Sequence, residues 1–554
     1  MEQGRLFLAI VLSFLVFVVW EFVFVGKQEV KPPVSPEEIV ESTVSTELEE
    51  NAILPVEISA DGNPDIERAA TPGDFFNSII IHTPLYSAEI SGKGAGIVSF
   101  VLNDYKETLN KDSANKELIS SNIQSGSGLL GFTNKALPKI SEAVFTTDFS
   151  GEYLDVRDAL RSLSFFWQSA EGVLIEKRFS FDPETYKIKL DVILTNTSMQ
   201  PFEENLAVSV VNSGSEGARR FSFEGPFALV DNKLDEVAVK DLEEKNMLAG
   251  NIEWAGLTEQ YFMCVIIPEE SSGSTVRLNH DMDENLIEVK YIQPGKQLAS
   301  GAKQQLEYAL YMGPKKISVL ESSGSNLDKA INFGFFDVIA KPCLWLMNAI
   351  YRVIPNFGIA IILLTIMFKI IFWPLGTKSY KSMAEMKRLQ PLMADIRLKY
   401  KDDKKKMNEE IMGLYKTYKV NPMSGCLPMV VQIPVFFAFY RMLYGSIELR
   451  HAPFLWWIND LSAPDRLFSF GFTVPMMTPP YGIPVLTIIM GATMFLQQKL
   501  SPPPGDPAQA KLMMMMPLVF TFIFINFPAG LVLYWLVNNV LSISQQYYIT
   551  KKTL

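Results

Sequence analysis

The chain has 554 residues, 50 basic and 61 acidic side chains, a net charge of −11 and a mean hydropathy of +0.13. The length admits more than one domain, and nothing in the composition suggests nucleic-acid recognition, which would need a basic face. Only Cys264 falls in the acidic region, and His82, His280 and His451 are far apart with no Cys pair beside them, so neither a disulfide framework nor a metal site is expected, and no cofactor.

The first apolar run, LFLAIVLSFLVFVVWEFVFV at 6–25, follows Arg5 and is long enough to cross a bilayer. No A-x-A-like site follows it, so 1–27 reads as a retained signal-anchor span. Residues 28–74, with EVKPPVSPEE and ESTVSTELEEN, are acidic and poor in aromatics, and read as a flexible linker. Charge then divides the chain. Residues 26–330 hold 27 basic and 48 acidic residues, a net of −21, which leaves +10 for the rest.

Residues 75–325 have the pattern of strands. LSFFWQ (163–168), VLIEKRFSF (173–181) and YKIKLDVILTN (186–196) are rich in β-branched and aromatic residues and are separated by turn residues such as DPET. Many short strands punctuated in this way predict a large antiparallel β-sandwich. No phosphate loop or nucleophile motif occurs in it. In the following region, 326–354, Leu327, Ile331, Phe335 and Val338 recur at helical spacing. They predict an amphipathic helix, lying on a membrane or packed on the sandwich.

Five apolar segments follow within 355–550: 355–375, 426–445, 482–498, 512–527 and 529–549. Several are short for a bilayer core of about 30 Å. They are either buried bundle helices or spans across a thinned bilayer. Residues 376–421 carry 12 basic and 6 acidic residues, the largest basic excess among the connections. The positive-inside rule makes that loop cytoplasmic. With six spans both termini are then cytoplasmic and the acidic domain lies outside, in the periplasm of a bacterium. The fold class is thus a polytopic α-helical membrane protein with a large periplasmic β-sandwich.

Within the first of the five segments stands Lys369, in LLTIMFKIIFWPL. Its stem could snorkel toward the cytoplasmic face, or its charge could face a hydrated pocket inside the bundle. The other spans contribute Gln432, Thr487, Thr493, Gln497, Thr521, Asn526, Asn538, Asn539, Gln545 and Gln546, but no Asp or Glu. A cation without an intramembrane carboxylate favours the hydrated pocket and weighs against proton-coupled transport. In 378–420, Met383, Met386, Leu389, Met393, Ile396 and Tyr400, then Met407, Ile411, Leu414 and Tyr418, recur at spacings of three and four. They predict a cytoplasmic helical hairpin, either a self-packed cap or a docking surface for an incoming chain, a ribosome or anionic lipid. Methionines such as the MMMM at 513–516 serve as core filler or as an adaptable apolar surface.

NFGIAIILLTIMFKIIFWPL, then YKSMAEMKRLQP, LYKTYKVNPMSGCLPMVVQIPVFFAFYRML and FPAGLVLYWLVNN, stand in this order and at these distances. Together with the anchor and the β domain they make the chain similar to YidC-type membrane protein insertases of the Gram-negative kind, over nearly its whole length. The resemblance implies a five-span insertase core with a hydrophilic groove, open to cytoplasm and lipid and closed to the periplasm, in the bacterial inner membrane. The family's single functional basic residue falls on Lys369, its groove threonine on Thr365 and its last-span aromatics on Tyr534 and Trp535, while Gln432 supplies a further polar group. Lys in place of the frequent Arg keeps the charge and loses bidentate pairing. Some members have a long basic tail for ribosome binding, whereas this sequence stops at KKTL, so strong tail-mediated docking is not expected. The implied function is non-enzymatic: helping nascent membrane proteins insert, translocate short hydrophilic segments and fold, with the Sec translocon and the ribosome as further candidate partners. A transporter or channel for a small anion is the alternative.

Overall fold

The computed structural model describes residues 78–553 apart from 111, 121–125, 134–136, 138–139, 214–222, 419, 421–426 and 502–506. The expected anchor at 6–25 and the linker at 28–74 lie outside the described residues.

From Ile79 to Pro314 the chain is built of β-strands in three sheets. The nine-stranded sheet runs, in spatial order, Lys233–Glu236, Gly225–Val230, Ile252–Thr258, Phe262–Pro268, Lys303–Pro314, Lys187–Asn196, Val173–Phe181, Arg161–Gln168 and Thr146–Thr147. Its fourth strand, Phe262–Pro268, is buried at every residue, which is why FMCVIIP reads as a continuous apolar run. In a five-stranded sheet, Leu286–Gln293 instead alternates buried and half-buried residues along its length, the period-two pattern of a strand with one covered face. The strands expected at 163–168, 173–181 and 186–196 are consecutive antiparallel neighbours. One pair departs from the antiparallel rule: Ile79–His82 runs parallel to Tyr153–Asp155.

Val173–Phe181 carries an unusual core residue. Lys177 is fully buried, and its ammonium donates to the carbonyls of Gly94 (2.9 Å), Ala95 (2.6 Å) and Gly128 (2.8 Å). The three residues that offer those carbonyls have positive φ, +64°, +45° and +72°, and so turn their backbone toward one point. The rings of Phe145 and Phe179 lie 5.8 and 5.2 Å from the same nitrogen. Three N–H bonds meet three acceptors, so the polar group is satisfied inside an apolar shell.

The helices follow: α1 Ile317–Ser323, α2 Asp337–Val353, α3 Phe357–Ile371, α4 Trp373–Lys399, α5 Lys404–Thr417, α6 Leu427–Gly445, α7 Val485–Leu500, α8 Pro507–Phe524 and α9 Ala529–Thr553. The single amphipathic stripe expected over 327–338 is divided. Leu327 and Ile331 sit in the core, while Phe335 and Val338 are exposed. Gly334, at φ +65°, interrupts any helix between them, and Asp337 Oδ1 accepts from Phe333 N (3.0 Å) at the start of α2. Helix α2 then buries Ala340, Cys343, Leu344 and Met347, one face at i, i+3, i+4 and i+7, and leaves Trp345 and Val353 exposed.

Helices α3 and α4 meet at a 65° bend. Its cause is local: Pro374 has no N–H to return to the carbonyl of Ile370, so the ladder ends one turn after Lys369. Among the described residues no single helix is both long and apolar enough to cross a membrane, and by length and composition only this bent pair could do so together. Helix α9 packs on α3, α4, α6 and α7 and forms the spine of the bundle. Outward, the bundle shows Ile370, Ile488, Leu496, Met514, Leu518 and Phe522, all exposed. Inward, it buries Thr365, Thr487, Asn539, Ser542, Gln545 and Gln546. Buried polar groups within an otherwise apolar interior, together with an exposed apolar exterior, set it apart from a typical water-soluble bundle.

In the hairpin, Leu389, Met393 and Val420 form a small core with Met386, Ile411, Leu414 and Tyr415. Tyr418 is exposed rather than part of the expected stripe. It follows the last residue of α5, so helical spacing no longer aims it, and Tyr415 takes its place with its hydroxyl 3.6 Å from Met393 Sδ.

Candidate functional site

Lys369 stands in the last turn of α3, where the free carbonyl ends of a helix favour a cation. Its ammonium donates to Ser542 Oγ on α9 at 2.6 Å. Ser542 in turn donates to Asn538 O at 2.7 Å, one turn earlier. The Tyr380 side chain of α4 lies near Ser542. Among the described residues no carboxylate comes within ion-pair distance of Lys369.

Gln432 of α6 joins the same strip of α9: its Nε2 donates to Asn538 Oδ1 at 3.0 Å, and its amide lies near the Tyr534 phenol. Positions 534, 538 and 542 are spaced by four, so one face of α9 carries Tyr534, Asn538 and Ser542 in a row. Lys369 and Gln432 reach that row from two other helices. Of the polar groups expected to cooperate, Lys369, Gln432 and Asn538 are thus tied into one network through Ser542, with Tyr534 beside it.

Thr365 lies one turn before Lys369 and is buried. Its hydroxyl donates to Ile361 O at 2.6 Å, so it is satisfied within its own helix rather than joined to the network. Tyr534 is buried with its ring stacked on Phe439, centroids 4.8 Å apart. Trp535 points elsewhere. It packs edge-on against Phe436 (4.8 Å) and Phe524 (5.0 Å), a seam between α6, α8 and α9. The structure therefore brings Lys369, Gln432 and Tyr534 together and sets Thr365 and Trp535 at the margins.

Ser542 and Tyr380 were not singled out from the sequence. A serine in an apolar helix is common, and the only available signal is its spacing of four from Asn538. Farther along α9, Gln545 donates to Trp373 O at 3.0 Å, across the bend between α3 and α4. Gly376 makes room for that amide: a Cβ there would stand 2.9 Å from its terminal atoms. Asn539 donates to Thr493 Oγ1 of α7 at 3.3 Å. One helix thus supplies polar contacts to α3, α4, α6 and α7.

Two family models match the chain: the YidC periplasmic domain over residues 78–346 and the 60Kd inner membrane protein over 349–554. Among curated proteins, a membrane protein insertase YidC of Syntrophobacter fumaroxidans is 39% identical over 99% of this chain and 100% of that protein. One of Pelobacter propionicus is 37% identical over 99% of each. A solved structure described as an active YidC insertase with its first transmembrane domain resolved is 19% identical, covers 86% of this chain and 93% of its own, and has a TM-score of 0.38.

Proposed function

The chain belongs to the YidC family of membrane protein insertases, and from that premise we propose that Lys369, Gln432, Tyr534 and the α9 hydroxyl and amide groups form the receiving face of a hydrophilic groove. Its relatives over the full length are named as insertases, and the small-anion transporter has no support among them. The groove takes up a short hydrophilic segment of a nascent membrane protein, holding it by exchangeable hydrogen bonds and by attraction of its acidic side chains to Lys369. No covalent bond changes. The apolar helix of the substrate then moves into lipid along the exposed outer faces of the bundle, favoured by about 0.8 kcal/mol per buried CH₂.

We assign the chain six spans with both termini cytoplasmic and the β domain, read as a sandwich, in the periplasm. Helices as short as α3 and α7, 15 and 16 residues, reach about 22–24 Å at 1.5 Å per residue, short of a bilayer core of about 30 Å. A bilayer thinned around them shortens the apolar crossing for the substrate as well. The basic hairpin α4–α5 meets the emerging chain, and with it the ribosome or the Sec translocon.

The observation that carries this reading is the bond from the Lys369 ammonium to a neutral hydroxyl, with no carboxylate beside it among the described residues. Cells depleted of the native protein and complemented with variants test it by insertion of small one- and two-span substrates. Lys369→Ala and Lys369→Glu are expected to insert poorly and Lys369→Arg to insert well. Full insertion by Lys369→Glu would remove the positive charge from the mechanism.

A further inference from the structure

The connection between α6 and α7 does not follow the usual composition of a loop. Residues 467–483, LFSFGFTVPMMTPPYGI, contain no charged side chain. Phe468 is 71% exposed, Phe472 65% and Met476 52%. The rings of Phe470 and Phe472 stack in parallel, 5.2 Å apart. Upstream in the same connection Trp456 is 86% exposed and stacked on Trp457. Trp456, Phe468 and Met476 hold φ of +55°, +59° and +63°, a region that bulky residues rarely occupy.

The charged groups just before this stretch face the other way. Asp465 is buried and caps α7, accepting from Leu486 N (2.8 Å) and Thr487 Oγ1 (3.2 Å). Arg466 donates to Ile525 O at the end of α8 (2.9 Å) and to Pro480 O (2.9 Å). Each charge thus meets the helix end of opposite sign. Asn526 accepts from Thr478 N (2.9 Å) and donates to Met476 O (2.9 Å), holding the tip of the loop against the α8–α9 turn. Charges directed inward and aromatic rings outward suit a segment with a low-dielectric exterior.

The apolar surface is also continuous with the outside of the bundle, since exposed Ile483 leads into exposed Ile488 and Ile489 on α7. We propose that residues 467–483 are a membrane-embedded loop, lying at the headgroup–acyl boundary of the leaflet on the β-domain side, with phospholipid as their partner. Aromatic side chains favour that depth, and the absence of charge lets the whole loop enter it. The assignment rests on the membrane location of the family, and its place relative to the β domain rests on the structure. The loop thereby anchors the α6–α7 connection at a fixed height in the bilayer.

The test uses the full chain in vesicles of phosphatidylethanolamine and phosphatidylglycerol, with Cys264, Cys343 and Cys426 replaced. A single environment-sensitive fluorophore is attached at Ser469→Cys or Thr473→Cys, exposed polar positions where a label disturbs no core. Met199→Cys, at an exposed turn of the β domain, is the aqueous reference. Brominated lipids are expected to quench the loop labels several-fold more than the reference, and aqueous iodide several-fold less. Equal quenching at loop and reference would overturn the proposal. So would protection that develops only when an apolar nascent segment is added, which would make the loop a peptide-docking surface. Sidedness of a membrane-impermeant thiol reagent at Met199→Cys reports the topology of the β domain separately, so its failure is distinct from failure of the loop assignment.

Discussion

Two lysines sit among polar partners inside the fold, Lys177 fully buried and Lys369 half-buried, and their surroundings differ. Lys177 has three carbonyls and two aromatic rings around it and no exposure. Burial pushes its pKa down from 10.5 to about 7, against the three carbonyls that an ammonium alone can satisfy together. Between about pH 7 and 10.5 the unfolded chain therefore binds more protons at this site, so stability should rise with pH across that window and level off below it. Thermal unfolding of the detergent-solubilised chain at several pH values should show the slope, and Lys177→Met should flatten it. The same substitution strands three buried carbonyls and should cost at least about 2 kcal/mol. Only one of the two lysines was legible in the sequence. Lys369 interrupts an apolar run, whereas Lys177 in VLIEKRFSF reads as an ordinary surface charge on an alternating strand. Its acceptors come from Gly94, Ala95 and Gly128, too distant in sequence for local patterning to reveal.

At the scale of elements, the apolar segments were visible from hydropathy, and their ends were not. The segment read as 355–375 ends as a helix at Ile371, and the chain re-enters a helix at Trp373 with a 65° turn. Pro374 was in view, but the direction taken after it depends on contacts such as Gln545 to Trp373 O. Helix pairing was equally hidden. A Cβ on Gly491 of α7 would stand 2.0 Å from Thr521 Oγ1 of α8, so these two helices approach closely where the glycine sits. Gly491→Leu should force them apart and destabilise the bundle by about 1–3 kcal/mol, read as a lower melting temperature in detergent. Thr521→Ala in the same chain should recover part of that loss, since it removes the atoms in the way, and a double-mutant cycle measures the coupling.

For the whole molecule, the split between an acidic β-rich region and a basic helical region was plain from charge alone, and the joint between them was not. Gln260 donates to Tyr444 O at 2.8 Å across 184 residues of sequence. Arg450 reaches the carbonyl of Lys106 and lies 5.4 Å over the ring of Phe262. These contacts fix the β domain on the end of α6, yet none touches the network around Lys369. Removal of residues 78–314 should therefore leave substantial insertion of small substrates in the depletion assay, whereas Lys369→Glu in the intact chain should not. Loss of insertion on deletion, with the helices still present at normal levels in the membrane, would move the receiving site into the β domain.

On the proposed role of Lys369, its bond to Ser542 bears on release as much as on capture. Pulling apart a buried ion pair by removing one partner is penalised by about 3–5 kcal/mol, whereas a hydrogen bond from a charged group to a neutral one contributes about 1.5–3 kcal/mol. In that role, a guest carboxylate would displace only this neutral partner, and on its departure the Ser542 hydroxyl would resume its place. On that proposal the ammonium is never left bare between clients, because the Ser542 hydroxyl holds it until the next carboxylate arrives.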